Sequence, residues 1–213
     1  MTHRLTCMTC LRPQTACICQ WITPTAHSVE VVVLQHPLEV DNPKGSARLL
    51  CLSLKHSHLV TGEVFDESVL HALLTQPLPG QPKGNRARYA VLLYPDTPQG
   101  SQALTVQPPP LSTELMSNPA QLRLIVLDGT WRKSRKMLFL NPLLQQLPRL
   151  PLRDMPVSHY LIRKAHRPDQ LSTLEATCAA LGQLEQNTGD FVSLLAAFDS
   201  FVAQQMGYRP PQT

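Results

Sequence analysis

The sequence predicts an α/β protein with a parallel-sheet core and helices on both faces. Three short segments, residues 28–35, 89–94 and 123–130, are rich in β-branched or other apolar residues. Strands buried on both faces of a sheet have this composition. Polar or proline-containing loops follow these segments, and helical composition resumes after the first and the third. This alternation is typical of βαβ units, which build parallel sheets.

Length and composition favour one domain with a small appendage. The chain has 213 residues, and 43% of them are hydrophobic, which is enough for a core. We assign residues 1–26 to a small N-terminal module and residues 27–213 to the main domain. No apolar run approaches the roughly 18 residues of a membrane span, and residues 1–10 lack the apolar centre of a signal peptide. We therefore expect a cytoplasmic protein with reduced cysteines and no membrane contact, and we favour a monomer.

The charge is unevenly distributed, although the net charge is only +4. Residues 131–167 contain nine Lys or Arg and one acid, whereas residues 168–213 contain one Arg and five acids. A basic face of this kind favours a polyanionic partner such as a nucleic acid. The alternative is a solvated basic surface without a partner.

Four cysteines lie close together near the N-terminus, namely Cys7, Cys10, Cys17 and Cys19. Two close pairs of thiols on tight turns can converge on one tetrahedral Zn²⁺. We expect a structural zinc ion, because four thiolates leave no open coordination position. Disulfides and unconnected thiols are the alternatives. The other two cysteines lie in apolar helical contexts that are typical of core residues.

The first predicted strand ends in a polar loop that contains His36 and Glu39. A helix over about residues 44–56 follows and carries Arg48. Ligand sites of open α/β sheets lie at the carboxyl ends of strands. The position of His36 therefore fits a catalytic histidine as well as a histidine that caps a loop.

The tetrapeptide Asp128-Gly129-Thr130-Trp131 lies where another buried strand ends, and it precedes a basic helical segment. A carboxylate at this position, next to cationic side chains, suggests a ligand site. The alternative is that Asp128 is the N-cap of the following helix and that Trp131 is a core aromatic.

Local signals predict the remaining elements. We expect a helix over residues 67–74, loops over residues 77–84 and 97–121, a strand end at Pro95, a helix break near Asn141-Pro142, and a short last strand over residues 159–162. Residues 97–121 are long enough to cover a functional site or to be mobile. Ser172 and Glu175 fit a capping box that begins a helix to about residue 186. Asp190 is expected to cap the last helix, which ends at Gly207.

Four motifs occur in a fixed order along the chain. They are Cys7-x-x-Cys10 with Cys17-x-Cys19, His36-Pro37-x-Glu39, Asp128-Gly129-Thr130-Trp131, and Arg163-Lys164 followed by Ser172-Thr173-Leu174-Glu175-Ala176. Together they resemble the DTW-domain family, the tRNA-uridine aminocarboxypropyltransferases, over nearly the whole chain and its bacterial branch in particular. The loop between Lys164 and Ser172 departs from the family pattern, because it is short and carries His166 and Arg167.

The resemblance implies a SPOUT-like core that contains a trefoil knot, an exception to the rule that chains do not thread loops. It also implies an enzyme that uses S-adenosylmethionine. The implied reaction transfers the 3-amino-3-carboxypropyl group to N3 of a variable-loop uridine in tRNA and releases methylthioadenosine. The implied partners are therefore tRNA, S-adenosylmethionine and a structural Zn²⁺.

The resemblance also suggests a role for each motif. Asp128 is the candidate base, or a group that only positions the reactants, and Trp131 can stack a flipped uracil or the adenine. Cofactor binding is assigned to Pro95, Asp128, Gly129, Thr130, Arg163, Lys164, Ser172, Thr173 and Glu175. Substrate binding is assigned to His36, Glu39, Arg48, Arg132, Lys133, Arg135 and Lys136, the last four of them on the tRNA backbone.

Two rival functions remain open at this point. One is a SPOUT-type RNA methyltransferase, which would use the same cofactor and release S-adenosylhomocysteine. The other is a non-catalytic RNA-binding protein that contains zinc.

Overall fold

The computed structural model describes residues 5–79, 88–96, 108–153 and 171–207. Its centre is a five-stranded sheet with the strand order β2-β1-β4-β3-β5, and every neighbouring pair is parallel. The strands are β1 (Glu30–Gln35), β2 (Ser57–Thr61), β3 (Tyr89–Leu93), β4 (Leu122–Asp128) and β5 (Arg149–Leu150). The predicted parallel α/β class is confirmed.

Helices cover both faces of the sheet. The α-helices of the described residues are α1 (Ala47–Ser53), α2 (Glu67–Thr75), α3 (Thr113–Met116), α4 (Trp131–Leu140), α5 (Pro142–Gln145), α6 (Thr173–Glu185) and α7 (Val192–Gly207). Side chains of β1 alternate between the faces: Val31 and Val33 pack with α1, α6 and α7, and Val32 and Leu34 pack with α2, α4 and α5. Both faces of the sheet are thus buried by apolar contacts with helices, as expected from the apolar composition of the strand segments.

The connections that follow the neighbouring strands β1 and β4 diverge. β1 pairs with β4, and the helices that follow them lie on opposite faces of the sheet, α1 on one and α4 on the other. The backbone N–H of His36 still donates to the carbonyl of Asp128 at 2.9 Å, so the strand ends stay together while the loops separate. Such a divergence opens a crevice, which is where open α/β sheets bind ligands.

Two strands were missed by the sequence analysis. The predicted helix over 44–56 is shorter than expected, because the chain turns at Gly45, begins α1 at Ala47 and then forms β2. β2 lies at the sheet edge and is only half-buried, so it lacks a strong apolar signal. β5 has two residues and lies in a proline-rich segment for which no element was predicted. The strand predicted over residues 159–162 lies outside the described residues.

Most helix ends agree with the predictions. α4 ends before Asn141-Pro142, and Ser172 and Glu175 form the expected capping box of α6. The assignment of Asp190 as a helix cap was wrong. Asp190 lies inside a 3-10 turn, Gly189–Phe191, and accepts a hydrogen bond from Asn187 at 2.8 Å, so that α7 begins only at Val192.

The N-terminal module packs against the main domain. Cys10 and Ile18 are fully buried in the same apolar cluster as residues of α1, α6 and α7. The indole N–H of Trp21 donates to Gln204 of α7 at 2.8 Å. Among the described helices, none combines the length and the apolar composition that crossing a membrane requires.

Candidate functional site

Asp128 is held at the carboxyl end of β4 by side chains from two other elements. The residue is 5% exposed. Oδ2 accepts a hydrogen bond from Gln35 of β1 at 2.9 Å, and Oδ1 accepts one from the hydroxyl of Thr173 of α6 at 2.6 Å. The N-cap of α4 is Thr130, whose hydroxyl oxygen accepts a hydrogen bond from the N–H of Lys133. The alternative interpretation of Asp128 as a helix cap is therefore wrong.

Gly129 allows the strand end to approach α4 closely. A Cβ atom added at this position would lie 3.1 Å from Cβ of Lys133 and 3.7 Å from Cβ of His36. The 3.1 Å approach is tighter than an ordinary van der Waals contact, so a side chain at residue 129 would require Lys133 or the strand end to move by a few tenths of an ångström.

A largely apolar cavity of about 290 Å³ opens beside this turn. Trp131 lines it, is 49% exposed, and packs edge to face on Tyr94 with ring centroids 5.7 Å apart. This exposure excludes the alternative of Trp131 as a core aromatic. The lining residues are Leu93, Tyr94, Pro95, Val126, Leu127, Gly129, Trp131, Ser134, Leu150, Pro151, Leu152, Leu171, Ser172, Thr173 and Ala176.

A smaller polar cavity of about 90 Å³ adjoins the same turn. It shares Gly129, Ser172 and Thr173 with the apolar cavity. Its lining residues are Glu39, Asn42, Lys44, Gly45, Ser46, Asp128, Gly129, Thr130, Ser172 and Thr173. Thr173 therefore lines both cavities, and Asp128, to which it is hydrogen-bonded, lines the polar one.

The start of α6 offers the hydroxyl of Thr173 to this junction. The N–H of Ser172 donates to the carboxylate of Glu175 at 2.7 Å, and the N–H of Glu175 donates to the hydroxyl of Ser172 at 3.1 Å. The N–H of Leu174 donates to the hydroxyl of Ser46 at 3.2 Å. These three amides are already used by side chains of the protein.

His36 caps the turn that follows β1. Its Nδ1 accepts the backbone N–H of Leu38 at 3.1 Å, so the ring proton is assigned to Nε2, which donates to Glu63 at 2.9 Å. Both ring nitrogens are therefore engaged, and the capping alternative describes His36 in this structure. Hydrogen bonds from Lys136 and then His36 hold the pKa of the Glu63 carboxyl below its usual value.

The four cationic residues of α4 fall into two pairs. Lys133 binds Glu39 at 2.7 Å, and Lys136 binds Glu63 at 2.9 Å. Arg132 and Arg135 are exposed and make no ion pair within the described part of the chain. Arg48 is half-buried on α1 and lines neither of the two cavities, and Arg163 and Lys164 lie outside the described residues.

The four N-terminal cysteines converge and could hold a metal ion. All four sulfur atoms lie within 4.8 Å of one another, with Cys7 and Cys19 at 3.5 Å and Cys10 and Cys17 at 3.7 Å. Zn–S bonds of ~2.3 Å in a tetrahedron place the sulfurs about 3.8 Å apart, so the spacing fits zinc. Hydrogen bonds from the backbone of Cys10 and Thr9 lower the pKa of Cys7 to about 6, whereas burial raises the pKa of Cys19 to about 12. Only the first of these shifts favours the thiolate that a metal needs.

Comparison with known proteins identifies the family. Residues 4–206 match the family described as "DTW domain". The chain belongs to the DTW-domain family. It is 27% identical over 208 residues to "tRNA-uridine aminocarboxypropyltransferase 2" of Macaca fascicularis, covering 96% of this chain and 64% of that protein.

Other relatives of this DTW domain carry related names. The Drosophila melanogaster protein of the same name is 30% identical over 187 residues, covering 86% of this chain and 68% of the relative. "tRNA-uridine aminocarboxypropyltransferase A" of Arabidopsis thaliana is 28% identical over 143 residues, covering 63% of this chain and 50% of the relative. The chain thus spans about half to two thirds of the length of these curated relatives. No solved structure matches it.

Three residues near the site of the DTW domain were not found by the sequence analysis. Glu63 follows the unpredicted strand β2, and Tyr94 was treated only as the end of a strand. Arg149 is 3% exposed, lies 5.0 Å from the ring centroid of Tyr94, and finds no hydrogen-bond partner for its guanidinium in the described part of the chain. Burial lowers the pKa of Arg149 and raises that of Tyr94. Only the contacts of the folded chain could have revealed these three residues.

Proposed function

We propose that this chain transfers the 3-amino-3-carboxypropyl group of S-adenosylmethionine to N3 of a variable-loop uridine in tRNA and releases methylthioadenosine. The observation that carries the proposal is the position of Asp128 relative to the two cavities. Its buried carboxylate lines the polar cavity, and it is oriented by Gln35 and by Thr173, which lines both cavities. Membership of the DTW-domain family and the names of the relatives support the same reaction.

The apolar cavity suits the sulfonium donor. Its volume of about 290 Å³ is near the lower end of small-molecule sites, and its walls are mostly apolar, as binding an adenine ring requires. Trp131 and Tyr94 supply aromatic surface, and Thr173 supplies a polar edge. When bound, S-adenosylmethionine provides an activated methylene carbon next to its sulfonium. We assign the acceptor uridine to the smaller polar cavity, because polar groups, among them Asn42, Ser46 and Asp128, line it.

The reaction needs a proton acceptor and an aligned nucleophile. Uridine N3–H is a weak acid, so N3 must lose its proton as the N3–C bond forms and the C–S bond breaks, with the bonding electrons left on sulfur. Asp128 accepts that proton in this proposal, and Thr173 and Gln35 hold its carboxylate in place. The choice of the methylene over the methyl carbon follows from alignment with the C–S bond that breaks.

Further residues would complete the site. Arg163 and Lys164 anchor the donor carboxylate, since guanidinium and ammonium groups bind carboxylates by charge-assisted hydrogen bonds. Arg132 and Arg135 bind the tRNA backbone, and the four cysteines hold a structural Zn²⁺. We also propose a knotted, SPOUT-like core. Its support is membership of the DTW-domain family.

One incubation tests the proposal. Purified protein is mixed with bulk tRNA and S-adenosylmethionine that is labelled in the carboxyl carbon, and nucleosides and small molecules are analysed by mass spectrometry. We expect labelled aminocarboxypropyl-uridine and an equal amount of methylthioadenosine. Asp128→Ala should form neither, while keeping its fold and its affinity for tRNA.

Other products would support the rivals. S-adenosylhomocysteine with a methylated nucleoside indicates a methyltransferase. Binding of tRNA without turnover, unchanged in Asp128→Asn, indicates an RNA-binding protein.

A further inference from the structure

Arg12 joins the N-terminal module to the wall of the smaller cavity. It lies between the two cysteine pairs, and its guanidinium donates to the carbonyl of Pro43 at 2.7 Å and to that of Gly45 at 2.9 Å. The same guanidinium lies over the ring of Phe201 in α7, 5.2 Å from the centroid. The planar group thus spans two backbone carbonyls and rests on a fully buried aromatic ring.

The loop that Arg12 contacts forms one side of the polar cavity. Asn42, Lys44, Gly45 and Ser46 all line it. The loop is a tight turn, in which the N–H of Gly45 donates to the carbonyl of Asn42 at 2.8 Å. Its end is tied to the opposite wall, because Ser46 accepts the N–H of Leu174 at 3.2 Å.

A second connection runs from this loop to α4. The side chain of Asn42 donates to Glu39 at 2.7 Å, and Glu39 pairs with Lys133 at 2.7 Å. Pro43 and Lys44 are exposed, so apolar burial contributes little to the position of the loop. Polar contacts therefore hold it, and those of Arg12 come from outside the cavity.

We propose that Arg12 is a positioning residue that fixes the 42–46 loop and thereby holds the acceptor uridine against Asp128. The N-terminal module then acts on the acceptor side of the site and leaves the donor cavity untouched, since none of residues 42–46 lines the apolar cavity. This inference rests on the proposed function. It requires an arginine, because a lysine ammonium cannot reproduce the planar fork between two carbonyls.

The test compares Arg12→Met and Arg12→Lys with the wild type and with Lys55→Met. Lys55 is an exposed cation before β2, at the opposite end of the sheet. Four quantities are measured: bound zinc per chain, the Kd of S-adenosylmethionine by calorimetry, the kinetic constants for tRNA, and hydrogen exchange of residues 42–46.

For Arg12→Met we expect kcat/KM for tRNA to fall roughly 10-fold or more, because the loss of positioning lowers the rate. Zinc content and donor affinity should stay at wild-type values, exchange in the loop should rise, and Arg12→Lys should lie in between.

Each other result has a clear meaning. Unchanged exchange of the loop, or unchanged kcat/KM in Arg12→Met, overturns the proposal. A parallel loss of zinc, donor affinity and activity also overturns it, since it would show a purely structural role. If the wild type transfers nothing to tRNA, the proposed function fails, and the exchange measurement still decides whether Arg12 holds the loop.

Discussion

The hydroxyl of Thr173 donates a 2.6 Å hydrogen bond to Oδ1 of Asp128 and so connects the start of α6 to the end of β4. Gln35 holds the other carboxylate oxygen from β1. The carboxylate is thereby restrained from two sides.

Replacing Thr173 with Val should lower kcat. Valine has a similar shape but no hydroxyl, and a hydrogen bond to a charged group contributes roughly 1.5–3 kcal/mol. We expect kcat to fall by about 10-fold or more, because the carboxylate loses one restraint. Steady-state kinetics with tRNA measures this, and Thr173→Ser is the control that retains the hydroxyl. Equal activity of the Val and Ser variants would contradict the assignment.

Gly129→Ala should destabilise the protein by about 1–3 kcal/mol, because its Cβ would lie 3.1 Å from Cβ of Lys133. Transfer activity should fall as well, since the strand end that carries Asp128 must shift. Gly207→Ala is the matched control, because an added Cβ there meets no atom within 4 Å. Urea denaturation compares the two variants, and similar free energies of unfolding would argue against the close approach.

The two cationic pairs of α4 should contribute unequally to tRNA binding. Arg132 and Arg135 are exposed, whereas Lys133 and Lys136 are paired with acids. Replacing both arginines with Gln should weaken tRNA binding and reduce the slope of log K against log salt by about 1 for each lost phosphate contact. Replacing both lysines with Gln should change the slope less. The slopes are measured by filter binding over a salt series, and the reverse order would show that the lysines exchange partners on binding.

Native mass spectrometry should find one zinc ion per chain. A Cys7→Ser/Cys10→Ser variant should lose it, because two of the four converging sulfur atoms are removed. Chelation should also lower the melting temperature, since binding of a structural zinc stabilises the fold. Cys51→Ala, which changes a cysteine outside the cluster, should keep the metal. A metal-free wild type would refute the thiolate site.

The Glu63–Lys136 ion pair should stabilise the fold at neutral pH and not in acid. The pKa of Glu63 is lowered by Lys136 and His36 from an ordinary value of 4.5, so its contribution is present above pH 4.5. It disappears as the pH falls through the lowered pKa. Urea midpoints of wild type and Lys136→Met should therefore differ at pH 7 and converge in acid. Lys55→Met, which removes an exposed lysine that makes no ion pair in the described part of the chain, should show no such pH dependence. A constant difference for Lys136→Met would contradict the pairing.

The elements that local sequence patterns specify were predicted well. β1, β3 and β4 have continuous apolar runs, and the capping box at Ser172 and Glu175 lies within four residues. β2 and β5 were missed, because one is a half-buried edge strand and the other is two residues long. Their positions depend on pairing with β1 and β3, and local composition carries little of that information.

The sequence by itself determined the α/β class, the cysteine cluster and the place of Asp128 at a strand end, because apolar runs, thiol spacing and turn residues are local patterns. Only the tertiary structure decided what each side chain touches. It made His36 a cap, exposed Trp131 in the wall of a cavity, and joined Asp128 to Gln35 and Thr173, which are 93 and 45 residues away along the chain. Contacts over such separations arise from the packing of strands and helices, so no local pattern predicts them.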